Sequence, residues 1–264
     1  MKTMETPPKQ TIRTRALLGK IRQSSLWRSV FRQGYPNTDE NRTLAIVNSW
    51  FLHVHPVKVK RHTLKISYTL GMGVISFFLF IVLTASGIVL MFFYVPSVER
   101  AYTDMQDLET MITFGMLLRN IHRWGAHLMV VTVFAHMCRV FYTGGYKTPR
   151  EFNWVIGVLL WIATLLLSFT GYLLPWDQLA YWAITVSTNI VATIPIIGDQ
   201  LRLLMLGSAE VGQSALIRFY TLHVILLPLV MTIFIGVHFW RIRKDGGLSN
   251  PLNNTDDETK RSVK

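Results

Sequence analysis

Four of the eight histidines stand at matched intervals inside long apolar stretches: His122 and His136 are 14 residues apart, and His223 and His238 are 15 apart. A strongly polar ring is costly inside a hydrocarbon layer unless something satisfies it. At about 100° per residue, fourteen steps return to within ~40° and fifteen to within ~60° of the starting direction, so each pair shares one helix face. A rise of about 1.5 Å per residue separates the two levels by about 21 Å, most of the thickness of a bilayer core. Helices carrying the two pairs run the same way, so His122 meets His223 at one depth and His136 meets His238 at the other. Two facing imidazoles per level, with no carboxylate or thiolate ligand near them in sequence, suit axial ligation of haem iron better than a tetrahedral zinc site. Two b-type haems, one per depth, are expected. The competing reading, histidines as hydrogen-bonded glue between helices, is disfavoured by the matched pairing. His127 lies five residues, about 140°, around the helix from His122 and is assigned no iron.

A large planar ring also demands room and counter-charges. Gly73 and Gly87, and again Gly157 and Gly171, are each 14 apart, so the glycines repeat with the histidine levels. Glycine removes the side chain that would obstruct the ring, although ordinary helix packing uses glycine too. Arg119, three before His122, and Arg139, three after His136, are candidates to pair with the haem propionates, and Arg218, ahead of His223, is a third. Cytoplasmic anchoring explains Arg139 equally well.

The elements that must position these residues are four apolar stretches at about 66–94, 115–142, 153–174 and 216–240, each at or above the ~20 residues a spanning helix needs. With 50% hydrophobic and only 16% charged residues in 264, the chain reads as an all-α membrane protein: a four-helix bundle enclosing two b-type haems. Three blocks are expected: a basic extension and linker (1–61), the membrane domain (62–245) and a polar tail (246–264).

The net charge of +12 is unevenly spread. Residues 1–68 hold thirteen Lys/Arg against three Asp/Glu, whereas the connection after the first span holds Arg100 against Glu99, Asp104, Asp107 and Glu109. The connection between the third and fourth spans is acidic as well, and the connection 143–152 and the end of the fourth span are basic. By the positive-inside rule both termini face the cytoplasm, and a bacterial cytoplasmic membrane is the expected location. Membrane topology thus accounts for the basic charge, and nucleic acid is not an expected partner. No removable signal peptide is expected ahead of the first span, which would act as the insertion signal.

Residues 12–32 alternate apolar groups with Arg and Lys, a pattern suited either to a helix on an anionic membrane surface or to a disordered basic tail. "GYPNTDEN" (34–41) reads as a turn-rich linker. His53, His55 and His62 are irregularly spaced in a basic segment and read as solvated rather than metal-bound. About forty residues join the third and fourth spans, too many for an idle turn, and are expected to form short surface helices. Pro228, inside the fourth span, frees a carbonyl and either kinks the helix or is incidental. The lone cysteine, Cys138, has no intrachain partner, and no C-x-x-C-H stretch is present.

"RNIHRWGAH", "GGYKTPREFNWVIG", "TGYLLPWDQLAYWA", "IPIIGDQL", "GSAEVGQSALIRFYTLHVILLPL" and "HFWRIRKDGG" resemble, in order and spacing over about residues 62–252, the cytochrome b family of quinol oxidoreductases, most closely its short b6 form. The resemblance implies a low-potential haem between His122 and His223 near the outer face and a high-potential haem between His136 and His238 nearer the cytoplasm. Quinol oxidation is implied near the former and quinone reduction near the latter, with Arg243 and Asp245 expected to line the inner quinone site. It further implies a Rieske iron–sulfur protein, a c-type cytochrome and a dimeric complex coupled to proton translocation. Two departures stand out. The chain lacks the P-E-W-Y motif of longer relatives, so a separate chain resembling subunit IV is expected. "YTLGMG" (68–73) lacks the cysteine that bonds an extra haem in oxygenic b6 forms, so no covalent haem is expected there. Rival readings are a dihaem anchor of a formate dehydrogenase or hydrogenase, whose members do not combine this histidine spacing with "PWDQ", and a non-redox transporter using the histidines as a proton path.

Overall fold

A computed structural model describes residues 38–48 and 69–245. The chain divides into two compact units, 1–57 and 58–264. The amphipathic segment 12–32, His53, His55, His62 and the tail from 246 lie outside the described residues.

In the first unit, α1 (Asp39–Asn48) begins inside the stretch expected to be a linker. Thr38 Oγ1 accepts the Asn41 N–H at 3.1 Å, and Asp39 and Glu40 place negative charge in the first turn. Capping and charge together make "TDEN" a helix start rather than a turn, which corrects the linker reading for residues 39–41.

Helices are the only regular elements among the described residues of the second unit. α2 (Met72–Leu90), α4 (Gly115–Tyr142), α5 (Glu151–Leu173) and the continuous stretch Gln213–Lys244 are long and apolar enough to cross a membrane. Their large apolar side chains are mostly exposed, among them Val74, Phe78, Val131 and Ile225, because a spanning helix is solvated by lipid rather than by a protein core. α2 packs on α4, α4 on α5, and α5 on the fourth span. Small hydroxyl residues sit where helices meet: Ser76 Oγ donates to Met72 O at 2.8 Å and lies 3.2 Å from Thr132 Oγ1 on α4.

Water-excluded packing is concentrated at the end of the bundle where the long connections lie. α3 (Ala101–Thr110), absent from the sequence expectation, fills the connection after α2, while α6 (Gln178–Ala192) and α7 (Gly198–Leu206) are the helices expected between the third and fourth spans. Asp177 of "PWDQ" starts α6 by accepting the Ala180 N–H at 2.8 Å, an N-cap. Leu173, Ile184, Leu206, Ala215 and Phe219 form one core cluster here, and Tyr94, Ala101 and Leu216 form another. Polar clasps tie the loops down. Gln213 accepts the Val98 N–H at 2.9 Å and donates to Pro96 O at 2.8 Å. Tyr94 Oη donates to Leu174 O at 2.6 Å. Burial first, then Tyr220 and Asp104, pushes the Tyr94 phenol well above its ordinary range.

The fourth span is α8 (Gln213–Thr221), a π-helical turn (Leu222–Leu226) and α9 (Leu227–Lys244). Leu227 N–H donates to Leu222 O, five residues back. Pro228 has no N–H to give and its ring would crowd the carbonyl four residues earlier; the wide turn ahead of it relieves both. That turn contains His223, and such turns recur at functional sites.

Candidate functional site

At the loop-rich end, His122 of α4 and His223 of the π turn face each other with ring centroids 6.2 Å apart and planes inclined at 74°. With a metal–nitrogen bond of about 2 Å on each side, two imidazoles flanking one metal have centroids roughly 6 Å apart, so the pair fits a shared iron.

Each ring is held in the same way. Ser86 Oγ lies 2.9 Å from His122 Nδ1 and directs its own proton to Val82 O at 2.7 Å. Thr170 Oγ1 lies 3.2 Å from His223 Nδ1 and donates to Leu166 O at 2.8 Å. With the hydroxyl protons committed to carbonyls, the rings donate from Nδ1, and Nε2 keeps its lone pair for a metal. The residue after each hydroxyl is glycine. A Cβ on Gly87 would stand 3.2 Å from His122 Cε1, and one on Gly171 would stand 2.5 Å from His223 Cε1. Ser86-Gly87 and Thr170-Gly171 are therefore one cradle used twice. Sequence reasoning named the glycines and missed the hydroxyls, whose signal was their position directly before each glycine.

The second level is built differently. The Nδ1 atoms of His136 and His238 are both buried without a hydrogen-bond partner. A Cβ on Gly73 would lie 3.3 Å from His136 Cε1, whereas one on Gly157 meets nothing within 4 Å. Phe77 and Phe239 pack edge to face at 5.1 Å beside His238. Two orphaned ring nitrogens and open space at a glycine fit a site completed by a bulky group with metal-binding capacity. Among the described residues, no three His, Cys, Asp or Glu side chains converge as a metal cluster.

The other expected site residues are placed as follows. His127 is exposed and rests against Trp124 at 5.5 Å. Arg119 pairs with Glu109 of α3. Arg139, half-buried near the end of α4, accepts from Thr143 Oγ1 through its carbonyl at 2.8 Å. The Arg218 guanidinium lies against Gly207, whose φ of +73° caps α7; any Cβ there would fall on the guanidinium. Asp245 gives its carboxylate to Arg241 at 2.9 Å rather than to Arg243, and its carbonyl accepts from Arg150 at 3.2 Å. These contacts clasp the far ends of α5 and α9 together.

Known proteins agree with this architecture. Residues 57–246 match the family described as cytochrome b/b6/petB. A cytochrome b6 of Auxenochlorella protothecoides is 47% identical over 180 residues, 68% of this chain and 83% of the relative. One of Tupiella akineta is 45% identical over 181 residues, 69% and 84% of the two chains. A solved chain titled "Hyperthermophilic respiratory Complex III" matches with TM-score 0.67 and 29% identity, covering 89% of this chain but 56% of its own length. On the family match and on the identity to cytochromes b6, this chain belongs to the cytochrome b/b6 family, integral membrane proteins that bind b-type haem.

Proposed function

We propose that the chain is the dihaem subunit of a bc1/b6f-type quinol oxidoreductase complex and conducts electrons across the membrane between two quinone-reactive sites. The observation that carries this reading is the facing pair of His122 on α4 and His223 on the fourth span, with glycines of α2 and α5 close against three of the four histidine rings. Haem iron, when bound, supplies reversible one-electron chemistry.

The chain's own residues do the rest. His122 and His223 hold the outer, lower-potential group, and His136 and His238 hold the inner, higher-potential one. Gly73, Gly87, Gly157 and Gly171 keep Cβ atoms out of the space beside the rings. Ser86 and Thr170 fix the outer imidazoles by their Nδ1 atoms. Arg119, Arg139 and Arg218 offer guanidinium donors to propionates, and Arg243 with Asp245 serves quinone reduction at the inner face. Moving a charge against 100 mV costs about 2.3 kcal/mol, so a rising affinity for electrons from the outer to the inner level drives inward transfer.

The reading places quinol oxidation outside and both termini in the cytoplasm of a bacterial cell. Its partners are a Rieske protein, a c-type cytochrome and a chain like subunit IV, in a dimeric complex. Potentiometric titration of the purified complex tests it: two b-type components of different midpoint, both reduced by added quinol, are expected. A complex without b-type absorbance would refute it.

A further inference from the structure

We infer that Glu109 sets the electron affinity of the outer site by holding Arg119, a role that rests on the two-haem reading above. Arg119 is one turn before His122, and its side chain is 23% exposed. Arg123 directly follows His122 in sequence; the Arg119 guanidinium is the one engaged by a carboxylate from a different helix.

The fold brings that carboxylate in deliberately. Asp104, 3% exposed, accepts the Val95 N–H at 2.8 Å and two bonds from Arg100, at 3.1 and 2.8 Å. These bonds anchor α3 to the loop leaving α2, and α3 packs on α4. Glu109, in the last turn of α3, is thereby held over the first turns of α4. Arg123 stands one turn further along α4, and Asp177 caps the start of α6.

A guanidinium has five donors in a planar fork and can serve two carboxylates at once. Glu109 therefore orients Arg119 and cancels part of its positive charge, leaving a propionate to share the fork. Adding an electron to the nearby iron is disfavoured by a neighbouring negative charge, and more so where water is scarce. Glu109 acts through Arg119 as a positioning residue that lowers the outer midpoint potential.

Redox titration of the intact complex carrying Glu109→Gln tests this, with Glu109→Asp and Glu99→Gln beside it. Glu99 is an exposed acid on the same connection. The expected result is a threefold to tenfold rise in the reduced-to-oxidised ratio of the lower-potential component at fixed potential, where tenfold corresponds to about 59 mV. The higher-potential component should stay in place, Glu109→Asp should lie close to wild type, and Glu99→Gln should give little shift. An unchanged lower midpoint in Glu109→Gln, or an equal shift in Glu99→Gln, would overturn the role of Glu109 alone. Absence of b-type components from the wild type would overturn the two-haem reading and this inference with it.

Discussion

Gly171 lies so close to His223 that a Cβ on the glycine would stand 2.5 Å from the ring's Cε1. The imidazole occupies the place of the missing side chain, and this contact ties the third span to the metal-binding capacity of the fourth.

Gly171→Ala should displace His223. The expected outcome is loss of about half of the b-type absorbance, all from the lower-potential component, in the pyridine haemochrome assay. Gly157→Ala meets no protein atom within 4 Å, so its expected cost to the folded chain is small. Gly157→Val should reduce inner haem content only if a bound group fills that space.

Ser86→Ala and Thr170→Val remove the acceptors of the Nδ1 protons. Partners of metal-bound histidines commonly contribute 10–100-fold in metal affinity, so about tenfold faster haem loss to an apo-globin acceptor is expected from the outer site. The inner site, whose Nδ1 atoms have no such partner, should be unaffected.

Pro228→Ala restores an N–H and removes the ring that the π turn accommodates. Closure to regular α-helix would rotate His223 relative to His122. A weakened outer haem with an intact inner one is expected, read from low-temperature α-band spectra.

Tyr94→Phe leaves Leu174 O without its donor, at a cost of about 1 kcal/mol or somewhat more if the carbonyl stays dry. The thermal midpoint should fall. Burial raises the phenol's pKa in the fold, so the unfolded chain loses this proton first as pH rises. Wild-type stability should therefore decline above about pH 10, the ordinary tyrosine value, and Tyr94→Phe should lack that part of the decline.

The four spans were legible because length and apolarity alone decide whether a helix can cross lipid; each end falls within a few residues of expectation, except α2, whose described helix is shorter at both ends. The facing of His122 and His223 and the closeness of Gly73, Gly87 and Gly171 to histidine rings were legible because helical periodicity converts sequence spacing into position along and around a helix. α3 was not, because "AYTDMQDLET" is polar and short, and its helix depends on Asp104 binding a backbone N–H nine residues earlier. Nor was the pairing of Arg119 with Glu109, since nothing in local spacing brings α3 over α4. For the same reason Asp245 reads in sequence as a neighbour of Arg243, whereas one helical turn brings its carboxylate to Arg241. The π turn at His223 follows from Pro228 only once the backbone is seen to widen.

The central claim is that two haems are held by two specific histidine pairs. Its most direct measurement is haem stoichiometry and redox titration of the purified complex as wild type and with His122→Ala, His223→Ala, His136→Ala and His238→Ala, each singly. Two b haems per chain are expected in the wild type. The first two variants should lose the lower-potential component and the last two the higher. Loss of the same component from His122→Ala and His136→Ala, or a full complement of haem in any of the four, would contradict it.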